Sequence, residues 1–187
     1  YPYLINPACA TNSNITTLTM VASSNSGATY SHPADYKVWT HPTQWDNSFS
    51  CTQANPTVYG AFHPSNIITN PSDNYYYAMY QSSPDPAGYT GPGPCLMRTQ
   101  NLALGSAWEV WTGPATTNWS GAIDARCTKV NISGGMGVPA SLTFNSYLNS
   151  YILLANQWDA NGAVTGVYYS LSADLFNWTA PVKILDP

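Results

Sequence analysis

The sequence predicts an all-β domain, and its composition carries this prediction. Fifteen prolines and thirteen glycines interrupt the 187 residues every few positions, so helical periodicity is almost absent. The apolar runs between them are short and rich in Val, Ile, Thr, Tyr and Trp, which is typical of strands. Hydrophobic residues make up 44% of the chain, enough to build a core, and we expect one domain over residues 1–187.

The predicted strands are short apolar or alternating runs bounded by turn residues. They cover residues 17–22, 57–62, 75–81, 96–99, 108–112, 141–144, 151–157 and 164–170. The only helical conformation we expect is a short turn at residues 172–176. The sequence therefore predicts sheets connected by turns rather than a mixed fold.

A repeated order of strands and turns predicts the architecture. Residues 137–185 contain strands that start near Pro139, Tyr151 and Gly166, followed by a tight turn at Asp174 and an outer strand. Four antiparallel strands in succession form one blade of a β-propeller. The same order recurs over residues 57–112, with a first strand from His63, and a looser copy covers about residues 11–50. We therefore expect a propeller-like domain with blades of four antiparallel strands, incomplete or reduced in blade number.

Three runs within residues 137–185 resemble a blade of the five-bladed propellers of family-43 and related glycoside hydrolases. They are Pro139-Ala-Ser-Leu-Thr-Phe-Asn, Tyr151-Ile-Leu-Leu and Gly166-Val-Tyr-Tyr-Ser-Leu-Ser. The following run, Ser172-Ala-Asp-Leu-Phe-Asn-Trp, is also similar to the Asp-box turn of sialidases. The resemblance rests on scaffold residues and implies the fold rather than an activity. Such catalytic domains are longer than this chain, so we expect either a fragment, a reduced propeller or one protomer of an assembly that completes the sheets.

The cysteines predict disulfides and an oxidising compartment. Cys9, Cys51, Cys95 and Cys127 allow three pairings, and none lies in a C-x-x-C spacing. The sequential pairing, Cys9–Cys51 and Cys95–Cys127, is favoured because it closes local loops. We expect a secreted, extracellular protein without a metal or cofactor, and without a membrane span because no long apolar segment occurs. Four N-x-[ST] sequences agree with secretion and predict N-glycosylation. Their acceptors are Asn14, Asn118, Asn131 and Asn177.

The charge pattern excludes one class of partner and favours another. Five scattered cations and a net charge of −4 provide no groove for phosphates, so we expect no nucleic-acid binding. Aromatic, amide and hydroxyl side chains are abundant, and these are the groups that hold neutral sugars. The candidates for ligand binding lie at expected inner-strand or channel positions. They are Tyr3, Tyr59, His63 and Arg98.

The acidic residues favour a protein that is not an enzyme. Glycoside hydrolysis normally uses two carboxyl groups, and in the resembled family these lie at the starts of the innermost strands. The corresponding starts here carry no Asp or Glu. We interpret Glu109 as a solvated edge residue, Asp174 as a cap for backbone N–H groups of a turn, and three other acids as turn residues, namely Asp73, Asp85 and Asp159. The acids that have no such structural interpretation are the candidates for catalysis. They are Asp35, Asp46 and Asp124.

These observations predict a secreted, non-catalytic, propeller-like protein that binds carbohydrate or builds an extracellular assembly. A homo-oligomer or filament would form through strand edges. One alternative is a divergent or truncated glycoside hydrolase of the family-43 type. The other is a purely structural fibre or coat subunit.

Overall fold

The computed structural model describes residues 14–41, 58–82, 93–135, 137–159, 161 and 163–187, and these residues form thirteen strands and no helix. The strands are β1 (Asn14–Thr16), β2 (Val58–Phe62), β3 (Ile68–Thr69), β4 (Tyr76–Ser82), β5 (Gly93–Thr99), β6 (Glu109–Trp111), β7 (Trp119–Ser120), β8 (Asn131–Ile132), β9 (Val138–Asn145), β10 (Ser150–Trp158), β11 (Val164–Ser172), β12 (Asn177–Trp178) and β13 (Val182–Leu185). The predicted all-β class is confirmed. The helical turn predicted at residues 172–176 is wrong, because β11 extends to Ser172 and a bend follows it.

Strands β9, β10, β11 and β13 form the C-terminal sheet, in the order β13-β11-β10-β9 with all neighbours antiparallel. This order confirms the four antiparallel strands predicted for residues 137–185, with the two-residue strand β12 between the third and the fourth. Along β10, Tyr151, Leu153 and Ala155 are buried while Ile152 and Leu154 are only half-buried. Successive side chains of a strand point to opposite faces, so the alternation puts one face of the sheet in the core.

Strands β1 to β7 form the central sheet, in which β2, β4, β5 and β6 are consecutive antiparallel neighbours. The first strand predicted from His63 is wrong. That segment is interrupted between β2 and β3, which pair with opposite ends of β4. The break begins at His63, whose φ of 50° is left-handed, and at Pro64, which has no N–H for a ladder.

The N-terminal part of the chain differs from the prediction. Residues 17–22 were expected to form a strand, but only Leu18 and Ala22 make single bridges there, to Trp39 and Ser31. Val58 to Gly60 of β2 pair instead with the short parallel strand β1. Single bridges do not make a strand. Residues 18–39 therefore form an irregular layer that packs on the central sheet.

The core lies on both faces of the central sheet. Tyr77 and Met79 of β4 point into a cluster with the C-terminal sheet, whereas Ala78 and Tyr80 point into a second cluster around Trp39. The middle of β4 is therefore buried without interruption, which is typical of a strand covered on both sides. Residues 18–39, the central sheet and the C-terminal sheet are thus three layers.

Asn66 connects the central sheet to the C-terminal sheet. Its Nδ2 donates to the Leu142 carbonyl at 2.8 Å, and its Oδ1 accepts from the Leu142 N–H at 2.8 Å. The side-chain amide thereby satisfies both backbone groups of one residue of β9. This contact places β9 next to the break between β2 and β3.

One predicted disulfide is confirmed, since Cys95 and Cys127 are bonded, with their Cα atoms 5.9 Å apart. Both residues are buried, and the bond ties β5 to the segment that precedes β8. Cys9 and Cys51 lie outside the described residues.

Candidate functional site

A row of polar side chains crosses three strands of the central sheet. Tyr77 of β4 is paired with Arg98 of β5, and Arg98 is paired with Glu109 of β6. The Arg98 Nε donates to the Glu109 Oε2 at 2.8 Å, and the Tyr77 hydroxyl donates to the Asp73 Oδ2 at 2.7 Å. The register of the sheet thus places Tyr77, Arg98 and Glu109 side by side, with Asp73 hydrogen-bonded to the first and Glu109 to the second.

Two aromatic rings enclose the guanidinium of Arg98. Its Cζ lies 4.1 Å from the centroid of Tyr75 and 4.1 Å from that of Trp119. The planar, weakly hydrated guanidinium stacks well on aromatic faces. Its side chain retains 18% exposure and that of Glu109 retains 36%, so the group reaches the surface. We call this set the arginine cluster. It consists of Asp73, Tyr75, Tyr77, Arg98, Glu109 and Trp119.

The electrostatics of the cluster fix which groups carry protons. Burial, followed by the hydrogen bond to Asp73, raises the pKa of Tyr77 to about 12, and the nearby Arg98 only partly opposes this. Burial would lower the pKa of Arg98, but its hydrogen bonds to Tyr77 and Glu109 outweigh burial and raise it. Tyr77 is therefore a hydrogen-bond donor at neutral pH rather than an activated nucleophile, and Arg98 is a permanent cation.

The turn after β11 is held by the carboxylate of Asp174. Its Oδ1 accepts from the backbone N–H groups of Phe176 and Asn177 at 2.8 Å and from the Ser172 hydroxyl at 3.0 Å. Burial tends to raise the pKa of Asp174, but these hydrogen bonds outweigh it and hold the pKa below its ordinary value. The capping role predicted for Asp174 is confirmed.

This turn brings Phe176, which lies between β11 and β12, to the arginine cluster. Phe176 lies 6.0 Å from Trp119 and 4.8 Å from Trp111 between ring centroids. Trp119 is also in edge contact with Tyr77, at 5.8 Å. The cluster is therefore formed where the central and C-terminal sheets meet, with Phe176 as its boundary.

The structure places the predicted ligand-binding residues apart. Arg98 lies in the cluster, whereas His63 is exposed just beyond the end of β2. Phe62, which precedes His63, pairs with Gln81 while Arg98 pairs with Tyr77. Four residues of β4 separate the two positions, or about 13 Å along the strand.

Several other predicted site residues lie in turns or beyond the described chain. Asp35 and Asp124 are exposed in turns, and Asp35 has a left-handed φ of 57°. Tyr59 lies within β2, opposite Ile15 of β1. The remaining candidates, Tyr3 and Asp46, lie outside the described residues.

The predicted N-glycosylation acceptors differ in their surroundings. The side chains of Asn118, Asn131 and Asn177 are exposed. The Nδ2 of Asn177 donates to the Asp174 Oδ2 at 2.9 Å, and that of Asn118 donates to the Gly113 carbonyl at 2.9 Å. Asn14 lies in β1. Glycosylation at the four positions stays a prediction.

Sequence reasoning missed part of the cluster. Glu109 was expected to be a solvated edge residue, but it is the ion-pair partner of Arg98. Tyr75 and Trp119 were not among the predicted site residues. The sequence contained one indication of the ion pair, because Arg98 and Glu109 are isolated opposite charges on consecutive predicted strands. Only the pairing register, which the sequence does not display, puts them side by side.

No protein family matches the sequence, and no curated protein matches it. Among solved structures, the chain is similar to an N-acetylgalactosamine deacetylase from F. plautii, crystallised in complex with blood group B trisaccharide. The TM-score is 0.49 and the sequence identity is 19%, over 88% of this chain and 43% of that chain. This protein thus spans less than half the length of that neighbour, and a likeness at this level carries no argument about function.

Two further observations concern metal binding and membrane spans. Within the described ranges, no group of three or more His, Cys, Asp or Glu side chains is placed to hold a metal ion. The part of the chain that the structure describes also contains no helix long and apolar enough to cross a membrane.

Proposed function

We propose that this chain is a secreted, non-catalytic, propeller-like domain that binds carbohydrate at the arginine cluster. The observation that carries the proposal is the partly exposed Arg98, fixed between Tyr75 and Trp119 and paired with Glu109. Sugars are held by aromatic side chains together with polar groups of fixed orientation. The rings and the ion pair give this site both kinds of group without ordering a mobile side chain on binding.

The surroundings of the two carboxylates favour binding over hydrolysis. Glycoside hydrolysis needs one carboxylic acid to donate a proton and one carboxylate to act as base or nucleophile. Asp73 accepts a hydrogen bond from the Tyr77 hydroxyl, and Glu109 accepts one from the Arg98 Nε–H. Both carboxylates are thus engaged as acceptors within the cluster, which supports binding rather than hydrolysis.

The propeller-like arrangement and the secreted location are supported by separate observations. The C-terminal sheet is a four-stranded meander that packs one face on the central sheet, as neighbouring blades do. The Asp174 turn lies between its third and fourth strands. The buried Cys95–Cys127 bond fits an oxidising compartment.

A glycan array followed by calorimetry with the sugars that bind tests the function. We expect Trp119→Ala to weaken binding at least tenfold, because it removes one ring that fixes Arg98. Trp158→Ala is the matched control, since Trp158 is a 40% exposed tryptophan at the far end of β10. Thermal unfolding of both variants verifies that they fold. Wild-type protein that binds no sugar on the array, or equal losses in the two variants, would refute the proposal.

A second candidate function is extracellular assembly through β13. This strand pairs with β11 on one side, and Val182, Ile184 and Leu185 are 49%, 53% and 62% exposed. Exposed apolar edge strands can pair with another chain. If assembly is the function, light scattering will give a mass of several chains, and Ile184→Lys will reduce it to one. A wild-type mass of one chain at working concentration would contradict this candidate.

A further inference from the structure

We infer that Glu109 makes the arginine cluster selective for neutral sugars and excludes sugars that carry a carboxylate. The inference rests on the proposed function, because it concerns the ligand class of the same site. Its physical basis is the chemistry of Arg98. A guanidinium fixed between two aromatic rings, if unpaired, is a strong partner for a carboxylate, which it can bind through two parallel hydrogen bonds.

Glu109 occupies one of the two edges through which the guanidinium can bind a carboxylate. A two-point contact uses either the Nε–H with one terminal N–H or two terminal N–H groups, and the Nε–H is already donated to Glu109 at 2.8 Å. The rings of Tyr75 and Trp119 each lie 4.1 Å from the Arg98 Cζ and limit the approach to its faces. An acidic sugar must therefore displace Glu109 or bind beside it, and in both cases two carboxylates lie close together.

A sugar hydroxyl meets no such conflict. A hydroxyl both donates and accepts, so it can donate to Glu109 and accept from Arg98 at the same time. The Glu109 side chain is 36% exposed, and its carboxylate has several lone-pair positions, one of which the Arg98 Nε–H engages. Neighbouring hydroxyls of a neutral pyranose thus match the exposed edge of the ion pair.

The charges around the site act in the same direction. Asp73 and Glu109 contribute −2 and Arg98 contributes +1, so the cluster has a net charge of −1. The whole chain carries −4. A carboxylate ligand enters a negative field, and such repulsion against a competing ligand is a common source of specificity.

Calorimetry with a matched pair of ligands tests the inference. The ligands are a neutral oligogalactoside and the oligogalacturonide of the same length and linkage, or the corresponding pair for the sugar that binds on the array. We expect wild-type protein to bind the neutral ligand at least tenfold more tightly. Glu109→Gln retains an oxygen for the Arg98 Nε–H and removes the charge, so the preference should fall to threefold or less. Asp186→Asn, which removes the same charge near the C-terminus, should leave the preference unchanged.

Raising the salt concentration gives a second measurement that needs no variant. Screening weakens repulsion between partly exposed charges. The wild-type preference for the neutral ligand should therefore shrink between 20 mM and 500 mM NaCl, over which the Debye length falls from about 20 Å to about 4 Å. Equal affinity of wild-type protein for both ligands, or an unchanged preference in Glu109→Gln, overturns the inference and leaves carbohydrate binding in place. Failure to bind either ligand, or any sugar on the array, overturns the proposed function itself.

Discussion

The turn after β11 gives the most direct test of how this fold is held together, through Asp174→Ala. The substitution removes an acceptor for the backbone N–H groups of Phe176 and Asn177, both at 2.8 Å, and for the Ser172 hydroxyl. Loss of a comparable cap at a helix end costs about 0.5–2 kcal/mol, and charged hydrogen bonds lie at the upper end. Because Asp174 is solvent-exposed, water replaces part of the loss, and we expect about 1 kcal/mol. For a domain of this size that lowers the Tm by about 2–4 °C.

The pH dependence of this loss follows from the lowered pKa of Asp174. A carboxyl group whose pKa is lower in the folded protein stabilises the fold above its ordinary pKa, near ~3.9. That stabilisation disappears as the pH falls through the folded pKa. The difference in stability between wild type and Asp174→Ala should therefore be constant from about pH 5 to 8 and shrink below about pH 4.

The assay is thermal and urea unfolding, followed by circular dichroism from pH 2.5 to 7.5. Asp186→Ala is the control, because Asp186 is an exposed carboxylate whose ion pair with Lys183 lies at the surface, so its removal should change the Tm by less than that of Asp174. A difference below about 0.5 kcal/mol at pH 7 would show that water replaces the carboxylate fully. A larger difference that persists unchanged to pH 2.5 would show that shape rather than charge holds the turn.

Three further substitutions test the layers and the cluster. Leu153 is fully buried between the two sheets, so Leu153→Ala should lower the free energy of unfolding in urea by about 3 kcal/mol. An unchanged unfolding midpoint would contradict the assigned core. Replacing Cys95 and Cys127 by Ser removes a bond that spans a sequence separation of 32 residues, and should lower the free energy of unfolding by about 4 kcal/mol relative to oxidised wild type. Reduced wild type should show the same loss. The double variant Arg98→Met/Glu109→Leu should retain the wild-type Tm within a few degrees and lose sugar binding, whereas Arg98→Met alone should be less stable because it leaves Glu109 unpaired.

Sequence reasoning performed best where pairing is local. The C-terminal sheet consists of consecutive antiparallel strands, so alternation along β10 and the turn residues around it were enough to predict its order. The same reason explains the success with Asp174, because its partners lie within three residues. The Cys95–Cys127 bond was favoured for the short loop that it closes.

The wrong predictions concern places where segments distant in sequence decide the structure. Residues 17–22 have strand composition, but the segment meets Trp39 and Ser31 only through single bridges. The prediction of a strand from His63 ignored that Pro64 cannot donate to a ladder. Glu109 was misjudged because its partner is set by the pairing of β5 with β6, and nothing in the local sequence specifies that register.

The small share of charged residues in the chain, 7%, and the position of the arginine cluster have a common physical cause. A central sheet that is covered on both faces leaves little room for ions, since removing a charge from water is costly unless it is paired. Arg98 and Glu109 enter this sheet as a pair, and only where it meets solvent. An ion pair in such a place adds little stability compared with apolar residues of the same size. Its physical advantage is instead a fixed donor and acceptor at the surface, which is what recognition of a hydroxyl-rich ligand requires.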